Sequence, residues 1–429
     1  MEPRAIQVSF SEALRTWLKI GCLGFGGPAG QIAMMHRILV DEKKWIDEPR
    51  YLHALNFCML LPGPEAQKLA TYSGWLLHGT RGGLVAGILF VLPGALVMLA
   101  FSLLYVLGRG IPVVDGALFG IKAAVLVIVV EALIRIGRRS LKSRLLMAMA
   151  AAAFVGIFFF DLPFPLIVAL AGAIGFFTTR TTSAERASPM AGRWRQAASA
   201  TVVGLVLWWA PVALALLALG KDHVFVDIGI FFSKLAVVSF GGAYALLAYM
   251  AQQAVETYGW MTAPEMVDGL GLAETLPGPL IKVTQFVGFL GAYRAHEPLD
   301  AMTSAILGSA LTTWVTFVPP MLLIFAGAPF VEQLRSNQRL SGALAAITAA
   351  VVGVILNLTI WFVLHVLFAD VQEARAGPLR WYAFDPLTID LKVSALALVA
   401  AVLAFVLHRG LVQLVLIMAA LGITVRLLL

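Results

Sequence analysis

The sequence predicts an all-α, polytopic membrane protein made of two inverted-topology repeats with broken, re-entrant helices. Of its 429 residues, 60% are hydrophobic and 13% are charged, and the mean hydropathy is +0.89, whereas a soluble protein carries about 25% charged residues. Apolar runs of roughly 20 residues, which match the thickness of a bilayer, occur along the whole chain. These continuous runs exclude a membrane β-barrel, because barrel strands are short and alternate in polarity.

The repeat is visible as three motifs that recur without gaps. Each copy lies 215 residues from its counterpart (240 − 25 = 215; 277 − 62 = 215; 260 − 45 = 215). The pairs are Phe25-Gly26-Gly27 with Phe240-Gly241-Gly242, Leu61-Pro62-Gly63-Pro64 with Leu276-Pro277-Gly278-Pro279, and Trp45 with Trp260. Two copies of an apolar segment interrupted by glycine and proline are typical of transporters built from internal repeats.

The two halves are separated by a linker and one additional crossing. We expect a first membrane repeat over residues 1–178, a cytoplasmic linker over 179–196, an extra transmembrane helix over 197–220 and a second repeat over 221–429. The single extra crossing inverts everything that follows it. Loop charges favour the same arrangement, because loop 36–50 carries four Lys or Arg residues and its equivalent 251–265 carries none. The alternative is a parallel repeat.

The breaks predict an anion site inside the membrane. Glycine and proline interrupt helices, and broken helices survive at membrane depth only where they are buried or line a cavity. The helix starts that follow would present free amides and positive dipole ends. The alternative is that these residues only allow close helix packing and kinks. The predicted substrate-binding positions are Gly26, Gly27, Pro62, Gly63, Pro64, Gly241, Gly242, Pro277, Gly278 and Pro279.

Charged residues within the apolar segments extend the predicted site. Lys68 and Lys282 follow the two Pro-Gly-Pro motifs by four and three residues, and Lys19 and Lys234 precede the two Gly-Gly breaks. Charges inside spanning segments are costly and usually functional, although a lysine near a helix end can extend its amine to the interface. We expect these lysines to neutralise a bound anion. The candidates for proton coupling are Glu65, which could instead complement a helix dipole, Glu131 and Glu274.

No catalytic or metal-binding pattern is present in the sequence. The seven histidines are scattered, and the two cysteines, Cys22 and Cys58, lie in apolar segments without a metal or disulfide framework. The net charge of +7 comes largely from short basic loops, which is typical of cytoplasmic loops and not of nucleic-acid binding. We expect no cofactor, no metal and no enzymatic activity. The expected partners are an oxyanion and the lipid bilayer. The sequence leaves open whether the chain forms a homodimer.

At these motifs the chain resembles the chromate ion transporter family, specifically its long, two-domain members. The resemblance covers nearly the whole chain, and its one departure is Ala243 where the first copy has Pro28, which predicts an asymmetric site. It implies export of chromate, or of the similar sulfate ion, across the bacterial inner membrane. We expect alternating access driven by the membrane potential, a proton gradient or both. The alternatives are a sulfate or oxyanion uptake carrier, an anion channel and, third, a membrane-embedded enzyme.

Overall fold

The computed structural model describes residues 8–25, 27–179, 194–240, 243–327 and 338–428. These residues confirm the predicted helical membrane protein, since six helices among them are long and apolar enough to cross a bilayer. The first half contains α1 (Phe10–Leu23), α2 (Gly27–His36), α3 (Glu48–Leu60), α4 (Glu65–Leu107), α5 (Pro112–Ser140), α6 (Arg144–Phe160) and α7 (Phe164–Thr178). The second half follows α8 (Trp194–Leu219) and contains α9 (Val224–Val237), α10 (Ala243–Gln252), α11 (Ala263–Glu274), α12 (Val283–Arg294), α13 (Ala301–Gly327), α14 (Gln338–Leu367), α15 (Leu391–Ala401) and α16 (Leu411–Leu428).

The predicted breaks coincide with ends and starts of helices. In the first half, α1 ends before Gly24 and α3 ends before Leu61. The next helices start at the breaks, α2 at Gly27 and α4 at Glu65, directly after Pro64. In the second half, a short 3₁₀ turn over Leu280–Lys282 follows Pro279 and leads into α12. Proline has no amide hydrogen, so it is tolerated where a helix begins. Gly26, Gly241 and Gly242 lie outside the described residues, as does most of the predicted linker 179–196.

The first break turns the chain back on itself. Lys43, which follows the π-helical extension of α2, forms an ion pair with Glu12 at the start of α1, with Nζ and Oε1 2.6 Å apart. The chain therefore returns to the end of the molecule from which α1 departs. We call this end, marked by Glu12 and Lys43, the near face.

The second break forms another hairpin from the near face. The helix α4 bends at His78 and Gly79, and the His78 ring is hydrogen-bonded to the Val8 carbonyl at 2.8 Å. The first arm of α4, residues 65–77, thus leads from the break back to the near face. The second arm, residues 80–107, then crosses the molecule. The two arms pack so closely that a Cβ atom on Gly74 would lie 2.4 Å from the Gly82 carbonyl oxygen.

The hairpins of the second half depart from the other end of the molecule. Arg294 at the end of α12 binds Glu265 at the start of α11, with 2.8 Å between nitrogen and oxygen. Arg109, which follows the second arm of α4, lies 3.5 Å from the same carboxylate. We call this end, marked by Arg109, Glu265 and Arg294, the far face. The helix α13 starts beside α12 at this face and returns toward the near face, where Phe325 lies against Gly83.

A small β-hairpin departs from the all-α prediction. The strands β1 (Val371–Ala376) and β2 (Leu379–Phe384) pair antiparallel, and Gly377 at their turn has a positive φ of 60°, which favours glycine. The side chain of Arg380 is 2% exposed and lies 2.9 Å from Asp161 in the loop between α6 and α7. This tertiary anchor gives a polar segment between two apolar helices a fixed structure that its composition does not indicate.

Candidate functional site

The two halves meet at their breaks in the interior of the molecule. The Gly63 amide donates to the Ser239 carbonyl at 2.9 Å, and the Gly278 amide donates to the Gly24 carbonyl at 2.7 Å. The second contact is the repeat equivalent of the first, because 63 + 215 = 278 and 24 + 215 = 239. Reciprocal contacts of this kind arise from two-fold symmetry. The breaks of both halves therefore meet through two equivalent backbone contacts.

Glycine is required at the centre of each Pro-Gly-Pro motif. Gly63 has a φ of 105° and Gly278 a φ of 91°, in a region that residues with a Cβ atom rarely adopt. In this conformation the amide of each glycine donates a hydrogen bond to a carbonyl of the other half. Gly63 and Gly278 thus serve the same structural purpose in the two copies.

A small cavity of about 20 Å³ lies at this junction. Several helix starts surround it, and the first amides of a helix have no acceptor within the helix and carry its positive dipole end. The arrangement is therefore suited to an anion. A cavity of this size holds about one water molecule, so an oxyanion enters only if the breaks separate. The lining residues are Pro28, Gln31, Gly63, Pro64, Glu65, Ala66, Ser239, Leu246, Pro279, Leu280 and Ile281.

Gln31 joins the two halves at the cavity and is not among the site residues predicted from the sequence. Its side chain is 1% exposed, and Nε2 donates to the carbonyls of Gly24 at 2.9 Å and Gly278 at 2.7 Å. Its repeat counterpart is the apolar Leu246 (31 + 215 = 246), so the site is asymmetric at this position. The sequence feature that indicates Gln31 is its position as a single polar residue within an apolar run, three residues after Pro28.

Lys68 and Lys282 lie at the breaks but behind the cavity. They are 1% and 0% exposed, and each ammonium donates to a carbonyl of its own break, Lys68 to Leu61 and Lys282 to Pro277. Neither is among the residues that line the cavity. The structure thus brings both lysines to the predicted site as groups that hold the break and add positive charge behind it.

The remaining predicted residues are distributed unevenly. Glu65 lines the cavity, and Glu274 ends α11 three residues before Pro277. Lys19 and Lys234 lie on exposed faces of α1 and α9, away from the lining residues.

Glu131 is also remote from the cavity. It pairs with Arg135 along α5 at 3.9 Å. Its coupling role stays a prediction, as do the roles of the two exposed lysines.

Fold and site together define a multi-pass membrane protein whose paired helix breaks enclose a small cavity. The family model of chromate transporters matches residues 11–176 and 226–424. The chain belongs to the chromate transporter family. The two matched segments begin at the offset that relates the breaks (226 − 11 = 215).

Individual relatives agree with this assignment. The chain is 35% identical over 354 residues to a chromate transport protein of Pseudomonas aeruginosa, with 81% of this chain and 80% of the relative covered. It is 27% identical over 341 residues to a chromate transport protein of Cupriavidus metallidurans, with 79% of each covered. An uncharacterised transporter of Bacillus subtilis is 32% identical over 126 residues, which cover 29% of this chain and 64% of that protein. No solved structure matches the chain. Membership in this family confirms a transporter and not an enzyme.

Replacing Gln31 with leucine is expected to destabilise the junction of the halves. The Gly278 carbonyl loses a buried donor, and the Gly24 carbonyl keeps only the Gly278 amide; loss of such a bond costs about 1–3 kcal/mol. The apparent unfolding temperature of the purified protein in detergent measures the effect. Leu246→Met is the matched control, because it conserves apolar volume at the symmetry-related position. An unfolding temperature of Gln31→Leu equal to that of the wild type would show that Gln31 is not a bridge.

Proposed function

We propose that the protein is a secondary transporter that exports chromate, or a sulfate-like oxyanion, across the bacterial inner membrane by alternating access. The observation that carries the proposal is the reciprocal contact of Gly63 with Ser239 and of Gly278 with Gly24. It surrounds one cavity with helix starts from both halves, and such helix starts bind oxyanions through their amides. Two relatives are chromate transport proteins, which supports chromate as the substrate.

An inverted relation between the halves supports alternating access. The first-half hairpins depart from the near face, and the second-half hairpins depart from the far face. The basic loop 36–50 belongs to the near face, which the positive-inside rule assigns to the cytoplasm. Hairpins of opposite orientation can separate from each other at one face while they stay in contact at the other.

The small cavity corresponds to a closed intermediate of this cycle. For chromate to enter, the breaks of one half must move away from those of the other at the cytoplasmic face. The dianion then meets the amides at the starts of α2 and α4 and of the turn before α12. Closure at one face and opening at the other release it outside. The site is therefore open to one face at a time, and no continuous pore is required.

The membrane potential supplies enough energy for export. Moving a charge of −2 out of a cell with an interior-negative potential of about 100 mV releases about 4.6 kcal/mol. That free energy sustains a concentration gradient of roughly a thousandfold. Proton antiport is compatible with the cycle, and Glu65 is the predicted coupling carboxylate that lines the cavity.

Inside-out membrane vesicles test the proposal. We expect an interior-positive potential to drive uptake of labelled chromate into vesicles that contain the protein, and we expect excess unlabelled sulfate to compete. Unlabelled chromate on the opposite side should accelerate tracer exchange, because a carrier returns faster when loaded. Uptake without this acceleration would indicate a channel. Transport only in the opposite direction would indicate an uptake carrier.

A further inference from the structure

A buried carboxylate lies on α11 outside the cavity. Asp268 is 4% exposed and is located between the far face and the Pro277 break. Its Oδ2 accepts a hydrogen bond from the Tyr105 hydroxyl at 2.9 Å, and its Oδ1 lies 3.8 Å from Lys122 Nζ. That Oδ1 is buried and has no hydrogen-bond partner. Asp268 is not among the residues predicted from the sequence to bind substrate or protons.

The contacts of Asp268 join the two halves. The carboxylate belongs to a hairpin of the second half, whereas Tyr105 lies on α4 and Lys122 on α5 of the first half. Below it, Gly271 packs against α5 so closely that a Cβ atom there would lie 2.2 Å from Ile121. Separation of the halves at the far face would therefore break the contacts of Asp268 with both helices.

A chain of polar groups connects Asp268 with the far face. Arg109 donates to the Tyr105 hydroxyl and lies 3.5 Å from Glu265, which in turn binds Arg294. The side chain of Arg109 is 50% exposed, so the chain reaches solvent. On the remaining side, α12 contributes Phe286, whose ring packs edge-on against Tyr105 at 5.0 Å. The ionisable groups that face Asp268 are therefore Tyr105, Arg109, Lys122 and Glu265.

The contacts of Asp268 depend on its charge. A buried carboxylate requires pairing and hydrogen bonds to stay ionised. Asp268 has one hydrogen bond and one ion pair, which fasten its hairpin to the first half while it is charged. A proton on Oδ1 would break no hydrogen bond, since that oxygen has none. It would neutralise the carboxylate and remove the attraction to Lys122.

We propose that Asp268 is a proton-binding site of the transporter, separate from Glu65 at the cavity, and that its protonation releases the far-face hairpin. The proposal rests on the transport function proposed above. A proton from the far face converts the carboxylate into the neutral acid while Lys122 stays an ammonium, and the hairpin separates from α4 and α5 so that the oxyanion leaves. The carboxyl ionises again through the same polar groups when the hairpin returns to Tyr105 and Lys122. Protonation of Asp268 thus promotes opening at the far face.

The buried carboxylate of Asp268 is present in the second half only. The repeat counterpart of Asp268 is His53 on α3 (268 − 215 = 53), so the near-face hairpin has no carboxylate at this position. Proton binding therefore acts on opening at the far face.

Proteoliposomes with the membrane potential clamped at zero test this role. A pH gradient with acid at the far face should accelerate labelled chromate transport several-fold in the wild type and in Asp268→Glu. Asp268→Asn should lose this acceleration and keep potential-driven transport. Asp222→Asn is the matched control and should keep the acceleration, because Asp222 is exposed in the loop before α9.

A second variant covers the case in which Asp268→Asn does not fold. Removing one member of a buried ion pair is more destabilising than removing both, so Asp268→Asn combined with Lys122→Met removes both charges. Full pH-gradient acceleration in either Asp268→Asn variant would overturn the proposal, as would its absence in the wild type. Potential-driven chromate transport by the wild type separates the two proposals. Its absence would overturn the proposed function, whereas its presence without pH acceleration would overturn only the role of Asp268.

Discussion

Replacing Lys68 and Lys282 together with methionine is expected to reduce chromate transport at least a hundredfold. The two ammonium groups are buried behind the breaks and hold the carbonyls of Leu61 and Pro277. At a separation of about 8 Å and an effective dielectric constant of about 20, each contributes about 2 kcal/mol per unit of anion charge. Methionine retains the unbranched shape and removes the charge. The initial rate of chromate uptake into inside-out vesicles measures the loss.

The exposed lysines provide the matched comparison. Lys19→Met combined with Lys234→Met removes the same charge from positions outside the cavity lining. We expect the rate of this variant to stay within about twofold of the wild type, because Coulomb attraction to a bound anion weakens with distance. An equal loss in both double variants would mean that total charge, and not the position behind the breaks, determines transport.

Replacing Gly63 with alanine is expected to disrupt the junction more than the same change at Gly278. Both glycines have a positive φ, which costs alanine about 1–2 kcal/mol. A Cβ atom on Gly63 would also lie 2.5 Å from the Pro320 ring, whereas the nearest atoms to a Cβ on Gly278 are 3.4 Å away. Crowding of the first kind adds about 1–3 kcal/mol. The effect at Gly63 should therefore be roughly twice that at Gly278.

Unfolding temperature and chromate transport, measured on the same preparations, separate the two variants. Gly137→Ala is the control, because the nearest atom to a Cβ there is 3.7 Å away and the residue lies within α5. We expect that variant to match or exceed the wild type in stability. Equal losses at Gly63 and Gly278 would contradict the asymmetric contact with Pro320.

The positions of the breaks could be predicted from the sequence because the chemistry that breaks a helix is local. Glycine and proline disfavour a continuous helix through their own backbone chemistry. The repeat indicated which glycines and prolines interrupt helices in both halves. The direction of the chain beyond each break could not be predicted in this way. A broken helix either continues or turns back, and that choice is visible only in contacts such as that of Lys43 with Glu12.

Residues without a repeat copy were harder to find. Gln31 corresponds to Leu246 and Asp268 corresponds to His53, so a search for repeated motifs passes over both. The lysines illustrate a different limit. Their approach to the breaks follows from sequence distance, but the acceptor of a long side chain depends on tertiary packing, and both ammonium groups bind carbonyls instead of lining the cavity.

Cysteine accessibility tests the central claim, one oxyanion site between two oppositely oriented halves, most directly. Ser239 lines the cavity and accepts the Gly63 amide through its carbonyl, so Ser239→Cys, in a chain with Cys22→Ala and Cys58→Ala, places a thiol at the site. A membrane-impermeant thiol reagent should modify it from either side of sealed vesicles, and chromate should slow the modification from both sides. Modification from one side only, or rates that chromate does not change, would contradict the claim.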